Sequence, residues 1–298
     1  MISILIPIYN RDARILVREI VHQAEQLDIV YEIICIDNHS VFFRDKNLQI
    51  SNYPYCSYEV LPTYIEQSAV RNRLAKAAKY DYILFLDSDL KIDYYHFLLN
   101  YIQQIPSSDL VSGGIHYLPW PPTPEYLLHW LFGIRREVKK SMKKDRFLSC
   151  NFMIRKSIFD KIQFNEDFTE YGHENAVFGV ELNKLKISRK HVFSPVTHNN
   201  LDHSDEFIVN LRKSISDVAV YIKSNSVSFA NARGYGYLRG YLLLKMTNTS
   251  KIFAQLFMFF IRPIEHNLRS RHPLLLLLDI YKVGFLCHYV HKRKLIVH

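Results

Sequence analysis

Two carboxylates, Asp87 and Asp89, stand one residue apart immediately after the apolar run Tyr82-Ile83-Leu84-Phe85-Leu86. That spacing suits a divalent cation, because hard cations prefer oxygen ligands and leave positions open for phosphate. The run itself reads as an interior strand of a parallel sheet, and in open α/β sheets ligands gather at the carboxyl ends of the strands. The bland alternative is an Asp that only caps the next turn or helix. Context adds to the functional reading. Met1–Asn10 is a second apolar strand that runs into polar Asn10 to Arg14, and Glu32-Ile-Ile-Cys-Ile-Asp37 ends on an acid as well. Asn10, Asp37 and the Asp87/Asp89 pair are therefore expected at strand ends.

Around these residues, strands and helices alternate in the way a doubly wound sheet requires. The pattern predicts a strand over Ile2–Ile8, a helix over Ala13–Leu27, a strand over Tyr31–Ile36, a short strand over Tyr58–Leu61 and a helix over Gln67–Lys79. Val41–Asn52 is ambiguous. After Asp89 it predicts a helix over Tyr94–Ile105, one strand over Leu110–Tyr117, strand character over Phe147–Arg155 and a helix over Glu174–Leu185. Pro119-Trp-Pro-Pro-Thr-Pro124 breaks regular structure, since each proline removes a backbone donor and fixes φ. Between Glu125 and Arg146, aromatic residues (Tyr126, Trp130, Phe132) mix with the basic run Arg135-Arg136, Lys139-Lys140 and Lys143-Lys144. That segment is either a solvated helix face or a loop bordering an acceptor site.

The set Pro7-Ile8-Tyr9-Asn10, Asp37-Asn38-His39-Ser40, Ala69-Val70-Arg71-Asn72, Phe85-Leu86-Asp87-Ser88-Asp89, Cys150-Asn151-Phe152-Met153-Ile154 and Tyr171-Gly172-His173-Glu174-Asn175 resembles, in that order, the family-2 inverting glycosyltransferases of the GT-A fold. The resemblance covers roughly residues 1–200. It implies a Rossmann-like, mostly parallel sheet flanked by helices, with residues 1–203 as catalytic domain and 204–298 as a C-terminal helical extension. It also implies a donor site for a nucleotide-sugar, a UDP-sugar by preference. There Pro7, Tyr9, Asn10 and Asp37 would hold the nucleoside, and Asp87, Ser88 and Arg71 the ribose and phosphates. Arg71 could equally be an exposed helix arginine.

Asp89, with Asp87 and His198 of Ser194-Pro-Val-Thr-His198, would bind Mn²⁺ or Mg²⁺, which screens the charge growing on the departing diphosphate. A structural histidine is the alternative for His198, one of 14 in the chain. An inverting transferase needs one base for the acceptor hydroxyl, and the resemblance points to Glu174, near the amino end of its helix, where the dipole favours an anion. The family commonly has Glu-Asp where this chain has Glu174-Asn175. Either Asn175 is a tolerated acceptor-site neighbour, or the protein is a catalytically silent nucleotide-, glycan- or membrane-binding homologue. His173 and Trp130 are further acceptor-site candidates, though His173 could serve only to start the helix. A sugar nucleotidyltransferase would usually carry a glycine-rich basic loop after the first strand, and Tyr9-Asn10-Arg11-Asp12 has no glycine.

The 298 residues, 48% hydrophobic, suffice for a large domain with an appendage, and 9 glycines and 11 prolines argue against disorder. Four widely spaced cysteines suggest neither a zinc knuckle nor a disulfide framework, but buried thiols in a reducing compartment. The apolar start lacks a basic leader, so the expectation is a cytoplasmic protein that begins with its catalytic domain. The formal charge of +9 carries no recognisable nucleic-acid motif. It fits a nucleotide-sugar donor, a glycan or lipid-linked acceptor, and an anionic membrane surface. Helices are expected over Asp205–Tyr221, Tyr237–Lys245 and Ile252–Ile261, and Leu274–Leu278 continues the apolar character; Arg262-Pro263 ends the first apolar segment, and Asp279 with Lys282 interrupts the second. None reaches the roughly twenty apolar residues of a spanning helix. They read either as a subdomain packed on the core or as interfacial helices flanked by Arg262, Arg269, Arg271, Lys292, Arg293 and Lys294.

Overall fold

The computed structural model describes residues 1–139, 147–166, 174–198 and 200–292, with the Glu174 side chain outside the description. Ten strands are found among these: β1 (Ile2–Ile8), β2 (Tyr31–Asp37), β3 (Cys56–Val60), β4 (Tyr82–Leu86), β5 (Leu90–Lys91), β6 (Leu110–Ser112), β7 (Ile115–Tyr117), β8 (Asn151–Arg155), β9 (Arg189–His191) and β10 (Val196–His198). The helices of the first half are α1 (Arg14–Gln26), the short α2 (Arg44–Asn47), α3 (Gln67–Ala77), α4 (Phe97–Ile102), α5 (Leu127–Phe132) and α6 (Lys156–Ile162). Then follow α7 (Glu174–Lys184), α8 (Ser204–Ser224), α9 (Gly236–Met246), α10 (Ser250–Phe259), α11 (Ile261–Leu268) and α12 (Leu275–His291).

The chain forms two compact units, one of Met1–Leu118, Glu137–Asp167 and Lys186–Asn200, the other of Pro119–Arg136, Phe168–Leu185 and Leu201–His298. In the first, a seven-stranded sheet runs β3-β2-β1-β4-β8-β6-β9. Its pairs are parallel except those of β8, which is antiparallel to both β4 and β6. The fully apolar interiors of β1 and β4 follow from burial on both faces of a parallel sheet. Helix α1 turns Leu16, Val17, Ile20, Val21 and Ala24 inward at helical spacing, and α3 packs on β1 and β2. Pro7 lies beyond the last β1–β4 pair, Leu5–Phe85, where a missing N–H takes nothing from that ladder.

The single strand expected over Leu110–Tyr117 is two strands in two sheets. Gly113 and Gly114 separate them: Gly114 has φ 92°, and a Cβ on Gly113 would lie 2.2 Å from the Tyr101 hydroxyl and 2.5 Å from the Ser194 carbonyl. After this bend β7 joins a three-stranded sheet, β5-β10-β7. The Asn151 carboxamide, 1% exposed, ties the junction. Its Nδ2 donates to the carbonyls of Gly114 and Ser194, each at 2.8 Å, and its Oδ1 accepts from the Tyr101 hydroxyl at 2.6 Å.

The second unit is helical, with a core of Ile208, Ile215, Val218, Ala219, Phe257, Leu278, Tyr281, Phe285 and Leu286 among others. Helix α10 approaches α12 closely because residue 284 is glycine, where a Cβ would meet the Phe257 ring at 2.2 Å. Asp279 and Lys282 break the apolar run but lie within α12, where Asp279 pairs with Arg136 at 2.6 Å and the Lys282 ammonium sits 4.1 Å over the Phe132 ring. Pro263 follows the apolar segment Ile252–Ile261, whose helix stops at Phe259. It sits in the first turn of α11, where a proline needs no N–H partner. Asp89, Asp87, His198, Asp37 and Arg71 all belong to the first unit, whereas Glu174, Asn175 and Trp130 belong to the second.

Replacing Asn151 by Ala should leave two buried carbonyls and the Tyr101 hydroxyl short of a partner and destabilise the protein by about 2–4 kcal/mol. A thermal melt reads this directly, and a variant that melts like the parent would show that the carboxamide is not what holds the two sheets together.

Candidate functional site: the carboxyl ends of β1, β2 and β4

At the end of β4 the chain leaves the sheet with the Asp87 amide donating to the Cys150 carbonyl at 3.1 Å, and turns at once into β5. Strand β5 pairs antiparallel with β10, with Leu90 opposite His198, and β10 runs parallel to β7, with His198 opposite Tyr117. This register brings a histidine from more than 100 residues later in the sequence beside Asp89. The His198 Nε2 lies 3.8 Å from the Asp89 carboxylate. The His198 ring stands 5.4 Å from that of Tyr117, whose hydroxyl donates to Glu137. Burial, and then the Glu137 charge, push the Tyr117 phenol well above its ordinary value, so it stays a neutral donor.

Asp87 faces elsewhere. Its Oδ1 accepts from the Arg71 guanidinium at 2.7 Å, and the Arg71 side chain is 2% exposed with its guanidinium 5.2 Å over the Phe164 ring. The alternative of an exposed helix arginine is thereby corrected, since α3 turns Arg71 inward toward the end of β4. Burial pushes the Asp87 carboxyl above the ordinary carboxylate value, and Asp89 adds to the rise, while Arg71 pulls it down. Ser88, between the two acids, is buried. The two carboxylates therefore differ: Asp87 is committed to a cation of the protein, and Asp89 stands beside a histidine.

Asp37, at the end of β2, is fully buried. One of its oxygens accepts from the Ser40 amide at 2.7 Å, the other from the Tyr58 hydroxyl at 2.6 Å. Asn10, with φ 51°, accepts on its side-chain oxygen from the Val41 and Phe42 amides at 2.8 and 3.1 Å and donates its own backbone N–H to the Ser40 hydroxyl oxygen at 2.8 Å, so it clamps the loop after β2 to the end of β1. Left-handed backbone is tolerated by Asn more readily than by most residues. His39 and Phe43 in the same loop also have positive φ, 60° and 65°. Tyr9 is half exposed and meets Tyr64 edge to face, ring centres 5.3 Å apart, leaving two aromatic rings at the rim of this loop.

The acceptor-side candidates are less fully described. His173 lies outside the described residues, as does the Glu174 side chain, although Glu174 opens α7 as expected. Asn175 is partly buried and its carbonyl accepts from the Tyr235 hydroxyl at 3.4 Å. Trp130 is partly buried on α5. Of the basic run, Arg136 is paired with Asp279, and Lys140, Lys143 and Lys144 lie outside the described residues. All four cysteines are free, and burial raises the thiols of Cys35, Cys56, Cys150 and Cys287.

Among the described residues no group of three or more His, Cys, Asp or Glu side chains is arranged to hold a metal ion. The expected trio contributes the pair Asp89–His198, with Asp87 turned to Arg71. Adjacent donors each about 2.1 Å from one octahedral Mg²⁺ lie about 3.0 Å apart, so this oxygen and nitrogen pair, 3.8 Å apart, would have to close by somewhat under 1 Å to share one ion. Residues that sequence reasoning missed are Tyr58, Tyr117, Glu137 and Asn151 as a junction residue. Their roles depend on strand register, which no local pattern encodes.

Replacing Arg71 by Leu should strand the partly buried Asp87 charge and destabilise the protein by about 2–4 kcal/mol, with partial recovery when Asp87→Asn is added. Denaturant unfolding of the three proteins checks this, and an unchanged midpoint for Arg71→Leu would contradict the pairing.

Solved structures with the same fold include S. aureus TarS 1-349 (17% identity, TM-score 0.52, covering 96% of this chain and 90% of that one). Another is the mannosyltransferase PcManGT from Pyrobaculum calidifontis in complex with GDP-Man and Mn²⁺ (10% identity, TM-score 0.59, covering 98% and 88%). A third is glucosyl-3-phosphoglycerate synthase from Mycobacterium tuberculosis with Mn²⁺, UDP and glucosyl-3-phosphoglycerate (18% identity, TM-score 0.51, covering 74% and 79%). At these identities the likeness concerns the fold, which is the GT-A fold expected from the sequence. No curated protein sequence matches the chain. The profile of Glycosyl transferase family 2 matches residues 3–163, more than half of the chain and the segments that carry Asn10, Asp37, Asp87 and Asp89, and the protein belongs to that family.

Proposed function

We propose that the protein is a metal-dependent, inverting glycosyltransferase that moves a sugar from a nucleotide-sugar, by preference a UDP-sugar, to a hydroxyl of a surface glycan or lipid-linked acceptor at the cytoplasmic side of a membrane. The observation that carries the reading is the register of β5 and β10, which sets His198 beside Asp89 where β4 ends in a family-2 chain. Solved structures of the same fold hold UDP-GlcNAc, UDP or GDP-Man, and two of them Mn²⁺, which supports a nucleotide-sugar donor and a divalent cation here.

In this reading residues 1–203 form the catalytic domain and 204–298 its helical extension. Asp89 and His198 hold Mn²⁺ or Mg²⁺, which when bound stabilises negative charge on the leaving diphosphate. Arg71 opposes the burial that raises the Asp87 carboxyl and fixes its direction at the ribose and phosphate end of the donor. Asp37, whose two oxygens are already anchored by Ser40 and Tyr58, keeps lone pairs for the base, and the Tyr9–Tyr64 rim offers it an aromatic face. Glu174 takes the acceptor proton as the hydroxyl attacks C1 from the face opposite the nucleotide, and Asn175, His173 and Trp130 contact the acceptor.

The alternative of a silent homologue rests on Asn175. Incubating the protein with UDP-, GDP-, CDP- and dTDP-sugars, Mn²⁺ and a glycan acceptor panel separates the two. We expect release of one nucleoside diphosphate, and Glu174→Gln should lower turnover by about 10³-fold or more with donor affinity unchanged. Parent-like turnover in that variant would place the base elsewhere, and no turnover with any donor would favour the silent homologue.

A further inference from the structure

The net positive charge of this protein comes from one end of the chain. Residues 218–298 hold 12 of the 38 Lys and Arg but only two of the 29 Asp and Glu, so the rest of the chain is close to neutral. Between Asp217 and Glu265 there is no acid at all, against Lys223, Arg233, Arg239, Lys245, Lys251 and Arg262. The two acids of this stretch are both occupied, Glu265 by Arg212 and Arg269, and Asp279 by Arg136. Arg269 is also met by Asp205 at 2.5 Å, and among the described residues no salt bridge engages Lys245, Lys251 or Arg262.

Helix α10 stands in the middle of the acid-free stretch and is apolar on both sides. Ser250, Ala254 and Phe257 face the core, as an amphipathic helix requires. The opposite side, at spacings of four and three, presents Ile252, Leu256 and Phe259, which are 59%, 57% and 79% exposed, and Phe260 follows at 52%. The end of α9 adds Leu243 and Met246, 53% and 75% exposed. Exposed apolar side chains of this size are ordinary when scattered and informative when they form a stripe. Lys245, Lys251 and Arg262 stand exposed along the same segment.

We propose that the α9–α10 face, led by Met246, Ile252, Leu256 and Phe259, docks on an anionic lipid surface, with Lys245, Lys251 and Arg262 at headgroup level. No helix among the described residues is long and apolar enough to cross a membrane, so the contact is one of lying on the surface. The charge selects the occupant. A symmetric pairing of two copies through this face would set the same three cations against each other without an acid to answer them, whereas an anionic leaflet attracts each of them. The inference does not rest on the donor site, and its test reads binding alone.

The test is flotation of the full chain with vesicles of phosphatidylcholine alone and of phosphatidylcholine with phosphatidylglycerol, at low and raised salt. We expect binding to the anionic vesicles that weakens with salt and little binding to the neutral ones. Leu256→Glu with Phe259→Glu should reduce it by about tenfold or more, and Lys245→Gln with Lys251→Gln and Arg262→Gln by a similar factor, all with the parent's melting temperature, since these side chains are exposed. Failure of the parent to bind, equal binding by either variant, or a lipid-free dimer that Phe259→Glu dissociates would overturn the proposal.

Discussion

The buried carboxamide of Asn151 is the constraint on which the candidate site depends. A polar group with 1% exposure must have its donors and acceptors met inside the protein, and Asn151 meets them by joining three segments: the bend at Gly114, the loop at Ser194 and the hydroxyl of Tyr101. Because Gly114 precedes β7 and Ser194 precedes β10, one side chain fixes where the small second sheet starts. Strand β10 then pairs with β5, and the Asp89–His198 pair is a consequence of that register. Gly113 completes the device, since a side chain there would strike both Tyr101 and Ser194.

Electrostatics at the end of β4 divides labour between two carboxylates that look alike in sequence. Desolvation alone would favour a neutral Asp87, and a buried guanidinium at 2.7 Å opposes it. With Asp87 held this way, Asp89 is the carboxylate that stands by the imidazole. The β1 and β2 ends are built on similar lines. Asp37 and Asn10 organise one loop through backbone amides, and Tyr9 and Tyr64 stand at its rim.

Much of this was legible in the sequence because it is periodic or local. The double-sided burial of β1 and β4, the helical spacing of α1 and the acids at strand ends are short-range patterns. What escaped depends on residues far apart. Leu110–Tyr117 reads as one strand until the space around Gly113 is known. Strand β8 gives no sign in its composition that it runs antiparallel to β4. An arginine in α3 looks equally suited to water until Asp87 and Phe164 are placed around it. Asp279 and Lys282 break the apolar run of the last helix, and what the sequence does not show is that their partners, Arg136 and the Phe132 ring, lie more than 140 residues away. His198 was singled out by resemblance rather than by pattern, and it is the strand register that gives it a partner.

The central claim is that Asp89 and His198 together hold a divalent cation for a nucleoside diphosphate. Isothermal titration of UDP, GDP, CDP and dTDP into the parent and into His198→Ala, each with and without Mn²⁺, tests it most directly. The account predicts that one nucleotide binds the parent with an affinity raised at least tenfold by Mn²⁺ and that His198→Ala loses about that Mn²⁺-dependent gain while keeping the metal-free affinity. Binding that is indifferent to Mn²⁺ in the parent, or equally enhanced by it in His198→Ala, would contradict the account.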